Sequence, residues 1–156
     1  MFDTLRFSAI GLLMVVLSGC ASASLQNDRF ARAQGWSVEK VTGSEFHHRV
    51  YRSAGNRSGI QHVYLEGDGR PWIGSTRINL RPETARPLML RLMAQDPNPS
   101  VYITRPCYNQ NVGSENCHPW HWTHGRYGDD VVNNMAQIVE KMMAVQPDQT
   151  IRLFGH

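Results

Sequence analysis

Lysine is almost missing from this chain. Of 16 basic residues only Lys40 and Lys141 are lysines, and arginine supplies the rest of a net charge of +3. No nucleic-acid partner is predicted, because the amino-terminal segment reads as an export signal. Long apolar runs are missing too. The longest, residues 9–17, falls well short of the roughly 20 residues a membrane-spanning helix needs. No internal repeat and no low-complexity tract is present, which excludes a repeat array and leaves one domain with room for a real core. Cysteine is scarce: the chain has 3, Cys20, Cys107 and Cys117.

The short apolar run follows a positive end at Arg6, weakened by Asp3, and stops at Leu17-Ser18-Gly19-Cys20. Small residues before a cysteine, behind a run of this length, read as a bacterial lipobox. Residues 1–19 are then a lipoprotein signal peptide, and Cys20 is acylated and becomes the new amino terminus. Residues 20–35 are a lipid-anchored tether, flexible over 21–27. An ordinary secretory peptide cleaved near Ala21 or Ala23 is the alternative. The expected location is the bacterial cell envelope, on a membrane and facing the periplasm. Eight arginines between Arg49 and Arg91 face only Glu66, Asp68 and Glu83. Such a basic half suits anionic headgroups near the anchor, although codon bias in a GC-rich genome produces the same excess. In that oxidising compartment the even pair Cys107 and Cys117 reads as a disulfide.

Residues 36–41 and 46–52 alternate around Thr42-Gly43-Ser44 and predict a β-hairpin. Residues 60–65 predict a buried strand, followed by Glu66-Gly67-Asp68-Gly69-Arg70-Pro71-Trp72, too rich in glycine for helix. Pro82 and Glu83 open a helix to about residue 94, with Pro87 either kinking it or marking a later start; Asp96-Pro97-Asn98-Pro99 stops it. Residues 101–104 are the next buried strand. Gly128-Asp129-Asp130 starts a long helix to about residue 145, with Val131, Met135, Ile138, Val139, Met142 and Met143 at helical spacing. Arg126 is expected to pair with Asp129 or Asp130 at the start of that helix. Ile151, Leu153 and Phe154 read as a last buried strand. The order predicts an α/β fold: a β-hairpin followed by β-α-β-α-β with a mainly parallel sheet.

A glycine-rich loop at the carboxyl end of a parallel strand lies where open α/β sheets bind ligands. Its glycines let backbone approach a substrate and leave N–H groups facing it. On these residues the chain resembles the N-terminal half of the α/β-hydrolase family, in its exported, lipoprotein-like members. Val63-Tyr64-Leu65-Glu66-Gly67-Asp68-Gly69 resembles the third strand and oxyanion loop, residues 83–96 the first helix, and residues 101–106 the fourth strand. Trp122-Thr123-His124-Gly125-Arg126-Tyr127 is similar to the approach to the second helix. Residues 151–156 resemble the fifth strand and the start of the nucleophile elbow, at Gly155-His156. Residues 36–156 are on this resemblance a partial α/β-hydrolase-like domain.

The resemblance implies serine-dependent hydrolysis of an ester or acyl substrate, without a cofactor. It makes Asp68 N–H the preferred oxyanion donor and Gly67 N–H the second choice. Serine, acid and histidine follow in that chain order in the family, all beyond residue 156. His156 stands just before the serine and is not the base. No catalytic residue is assigned, and a polypeptide of these 156 residues is expected to be truncated and inactive. The alternative function is a non-catalytic envelope lipoprotein with a binding or structural role.

Cys117-His118-Pro119-Trp120-His121-Trp122-Thr123-His124 invites a metal reading. His118, His121 and His124 step by three beside a thiol, a donor set that suits zinc. Against it stand Pro119, two large aromatics and the claim of Cys107 on Cys117, so surface or packing roles are expected and no metal is predicted.

Overall fold

The strands are β1 (Ser37–Thr42), β2 (His47–Arg52), β3 (Ile60–Leu65), β4 (Trp72–Ile73), β5 (Arg77–Ile78), β6 (Ser100–Ile103) and β7 (Thr150–Gly155). The helices are α1 (Ala23–Ala33), α2 (Leu88–Met93) and α3 (Asp129–Val145), with a single 3-10 turn at Pro119–Trp122. The computed structural model describes residues 22–54, 59–108, 116–145 and 148–156. The expected signal peptide, residues 1–19, and the lipidation site Cys20 lie outside the described residues. Among the described residues no helix is long and apolar enough to cross a membrane.

Five strands form one sheet in the order β1-β2-β6-β3-β7. β3 pairs in parallel with β6 and with β7, whereas β2 is antiparallel to β1 and to β6. The α/β class is therefore as expected, and the sheet is mixed, with β2 alone running against the others. β4 and β5 make a separate two-stranded ribbon, in a stretch too short for alternation to announce it.

The two faces of the sheet differ in chemistry, because alternate residues of each strand point opposite ways. Toward α3 the sheet presents aliphatics: Val50, Val63, Val101 and Ile103 pack on Ile138 and Met142. Toward α1 and α2 it presents Tyr51, Tyr64 and Tyr102, packed on Ala31, Met89, Leu90 and Met93. A buried tyrosine hydroxyl needs an acceptor. Here each finds a carboxylate: Tyr51 donates to Asp28 at 2.9 Å, Tyr64 to Asp96 at 2.7 Å and Tyr102 to Glu66 at 2.8 Å.

Asp28 overturns the tether expected over residues 21–27 and moves the domain start forward from residue 36. Ser22 caps α1 by accepting Leu25 N–H at 3.3 Å, and the helix buries Asn27, Asp28 and Ala31. Arg49 of β2 grips Asp28 with Nε at 2.9 Å and with Nη2, and Asn27 Nδ2 donates to Thr84 O at 3.0 Å. Burial works against the Arg49 charge, but Asp28 outweighs it and holds the guanidinium more firmly protonated.

α2 is also shorter than the spacing suggested. Pro87 is its N-cap, with extended φ and ψ of −63° and 131°. Proline disfavours the helical region at the residue before it and would clash with the carbonyl four residues back, so residues 83–86 stay irregular.

The last strand is corrected as well. It spans Thr150–Gly155, among the described residues pairs only with β3, and leaves Leu153 54% exposed instead of buried.

His48 ties the hairpin to α3. The ring is fully buried; Nδ1 lies 2.8 Å from Thr104 O and Nε2 2.8 Å from the Asn134 amide. With Asn134 turned so that its N–H donates to Nε2, its oxygen accepts from Ser44 N at 3.2 Å and Glu45 N at 3.0 Å, and every group is satisfied. Burial first of all pushes the His48 pKa down, which matches a neutral ring.

Cys107 and Cys117 are joined, with Cα atoms 5.5 Å apart. The bridge closes beside Trp122, Tyr108 and Phe46, a third small core. Closing a loop of this length restricts the unfolded chain by about 3 kcal/mol. Cys107→Ser with Cys117→Ser should lower the denaturation free energy by about that amount; an unchanged midpoint in urea would contradict it.

Candidate functional site at the carboxyl edge of the sheet

β3 leads to α2 on one face and β6 leads to α3 on the other. Neighbouring strands whose connections part in this way open a crevice at their carboxyl ends, the usual ligand position in α/β sheets. Three chain segments meet there: the loop after β3, the end of β7, and residues 104–108 after β6.

The loop after β3 is held from several sides. Glu66 is buried and accepts the Tyr102 hydroxyl at 2.8 Å, with the N–H groups of Gly67 and Met89 nearby. Burial raises its pKa; the Tyr102 hydroxyl, the nearby N–H groups and His156 oppose the rise without cancelling it. Asp68 is clamped by two arginines. Arg126 Nε lies 2.8 Å from Oδ2 and Arg105 Nη1 3.1 Å from Oδ1, while Tyr127 donates to Oδ2 at 2.8 Å. Both guanidinium groups also lie over the Tyr127 ring, at 5.2 and 5.1 Å. Tyr108 donates to Asp68 O at 2.5 Å. Gly69 turns the loop at a φ of +62°, and a Cβ there would lie 2.3 Å from Pro82 O, so both conformation and space require glycine.

Asp68 is thus a positioning carboxylate. The partner expected for Arg126 is corrected: it reaches back to Asp68, and Asp130 instead receives His121 Nε2 at 3.2 Å. Arg105, Tyr108 and Tyr127 were not legible as site residues. Each lies on a different segment, and no local pattern links them to the loop after β3.

The end of β7 completes the crevice. Leu65 and Gly155 are register partners in the parallel β3–β7 pair, so the residues that follow each strand emerge side by side. Gly67 lies so close to His156 that a Cβ on Gly67 would be 2.4 Å from Nδ1 and 3.0 Å from the backbone oxygen. The two oxyanion candidates, Gly67 and Asp68, and the two elbow candidates, Gly155 and His156, are therefore brought together. Gly67 N–H lies near the Glu66 carboxylate. Among the described residues, the hydrogen bonds that hold this loop leave Asp68 N–H unused. A cavity of about 10 Å³ behind the loop, lined by Glu66, Gly69, Glu83, Tyr102 and Tyr108, holds roughly one water molecule.

The histidines of the 117–124 segment do separate jobs. His118 Nδ1 accepts Trp120 N–H and His121 Nδ1 accepts His118 N–H, both at 3.2 Å, a reciprocal cap on the 3-10 turn. His124 lies between the rings of Trp72 and Trp120. Cys117 is in the disulfide. Among the described residues no three or more His, Cys, Asp or Glu side chains gather where a metal ion could sit.

The fold and site define an α/β protein with a mixed sheet whose loop after β3 meets the end of β7 at the carboxyl edge. In comparisons with known proteins the chain matches no family, no curated protein and no solved structure.

Proposed function

We propose that this is an α/β-hydrolase-type protein, held at an envelope membrane by a lipid on Cys20, whose reaction is serine-dependent hydrolysis of an ester or acyl substrate. The nucleophile in this reading is the residue after His156. One observation carries it: the glycine loop after β3 and His156, which follows β7, touch at the carboxyl edge of two parallel neighbours. Serine attack on a carbonyl there converts the carbonyl oxygen to an oxyanion. Asp68 N–H is the donor this chain offers to it, with the Arg105 and Arg126 clamp keeping the loop in place. A preorganised donor of this kind acts because it needs no rearrangement as charge develops.

The reading makes Gly67 sensitive. Gly67→Ala places a methyl against His156, which displaces either the oxyanion loop or the elbow. Displacements of about 1 Å at such a site cost on the order of 100-fold in rate. In the protein as its gene encodes it, Gly67→Ala should lower kcat on a short-chain chromogenic ester about 100-fold, with an unchanged circular dichroism spectrum. No ester turnover by the unsubstituted protein, or full turnover by Gly67→Ala, would count against the reading. In the first case a non-catalytic envelope lipoprotein replaces it.

A further inference from the structure

We propose that the outward faces of α1 and α2 form a contact surface for an anionic bilayer leaflet. The inference rests on the lipid-anchor reading of Cys20 and adds a second, protein-borne attachment. Its first support is distance along the chain. Ser22, the cap of α1, follows Cys20 by two residues, a span of at most about 7 Å. A domain so close to an acylated residue cannot stand off from the lipid surface.

The second support is what the two helices show on that side. α1 and α2 pack on the same face of the sheet. α1 buries Asn27, Asp28 and Ala31 and leaves Leu25 43% exposed, with Arg29 also exposed. α2 buries Met89, Leu90 and Met93 and leaves Leu88 and Leu92 exposed at 45% and 46%, with Arg91 beside them. Between the helices runs an open groove of about 250 Å³, with Arg86 and Arg91 among its lining residues. The Arg91 guanidinium sits 5.5 Å above the Phe30 ring, facing the groove.

The third support is charge. Among the described residues no ion pair engages Arg29, Arg86 or Arg91. The acids of this region are committed inward: Asp28 to Arg49, and Glu83 to the small cavity behind the loop. Exposed leucines flanked by unpaired arginines match the acyl–headgroup boundary, where apolar side chains enter and guanidinium groups take phosphodiester oxygens in pairs. Each arginine near an anionic surface strengthens binding roughly five-fold. Asn27 and Pro87 line both the groove and the small cavity. The contact surface therefore adjoins the outer wall of the carboxyl-edge crevice.

The test uses protein purified from the membrane fraction and reconstituted into vesicles. Intact mass first reports the state of Cys20. Phenylglyoxal footprinting, read by mass spectrometry, then compares vesicles of pure phosphatidylcholine with vesicles containing one-third phosphatidylglycerol. Arg29, Arg86 and Arg91 should react at least five-fold more slowly on the anionic vesicles. Arg77, exposed on β5, should be unchanged, and the protection should vanish in high salt. An acylated protein whose three arginines react alike on both vesicles overturns the contact surface and leaves the anchor standing. Protection independent of lipid charge means a second copy or another chain segment covers the face, and also overturns it. An unmodified Cys20 overturns the anchor reading and this inference with it.

Discussion

Asp96→Ala should destabilise the protein by about 3–5 kcal/mol, the cost of taking a buried, hydrogen-bonded carboxylate away from its donors. The Asp96 side chain is 6% exposed. Oδ2 receives His62 Nδ1–H at 2.5 Å, the Tyr64 hydroxyl at 2.7 Å and the Ser100 hydroxyl at 3.1 Å. Oδ1 receives Asn98 N–H at 2.9 Å and its amide at 2.7 Å. One carboxylate thus joins the exit of α2, the start of β6 and the middle of β3. Alanine would strand five donors, most of them out of reach of water. Burial pushes the Asp96 pKa up, but these donors outweigh it and hold the group well below the usual carboxylate range. A depressed folded-state value contributes stability that is present above the unfolded value, about 3.9, and is lost as pH falls through the folded value. Asp96→Asn, which has no charge to titrate, should therefore lose less stability than the unsubstituted protein between pH 4 and pH 2. Urea midpoints for Asp96→Ala within 1 kcal/mol of the parent would contradict the account. So would parallel acid slopes for Asp96→Asn and the parent.

The second large effect concerns α1. Asp28→Ala should cost about 2–3 kcal/mol, less than Asp96 because Arg49 keeps 30% side-chain exposure and can draw on water. It removes the acceptor of both Arg49 and Tyr51, whose hydroxyl burial and Asp28 together hold in the protonated form. α1 should then detach while the sheet remains. Amide exchange over residues 23–33 should speed up at least 10-fold, with β3 and β6 unaffected. Unchanged exchange in α1 would mean that the helix is held by its apolar contacts alone.

These two carboxylates explain where the sequence was readable. Periodicity found every strand of the main sheet and the long helix, because Val131, Ile138 and Met142 or Val63 and Leu65 repeat at fixed steps. It also found the loop after β3, where Gly67 and Gly69 interrupt that pattern. α1 escaped because its buried face is Asn27, Asp28 and Ala31, which carries no apolar stripe. Asp28 becomes a core residue only through Arg49 and Tyr51, more than 20 positions away. The clamp on Asp68 was equally hidden: Arg105, Arg126 and Tyr127 reach it across separations that no local pattern encodes. Charges look for partners in space, whereas helices and strands are written in neighbours. Pro87 could be read in two ways; the structure takes the late start, with Pro87 as the N-cap of α2 and Thr84 O accepting from Asn27.

In the proposed function the ends of β3 and β7 frame a nucleophile. The most direct test is fluorophosphonate labelling of the protein isolated from the cells that make it, followed by trypsin digestion. Cleavage after Arg152 releases a peptide beginning Leu153-Phe154-Gly155-His156. The account predicts that this peptide continues with a serine that carries the probe, and that heat denaturation before labelling abolishes the modification. A continuing peptide without label, or a native protein whose final tryptic peptide is Leu153 to His156, would contradict it.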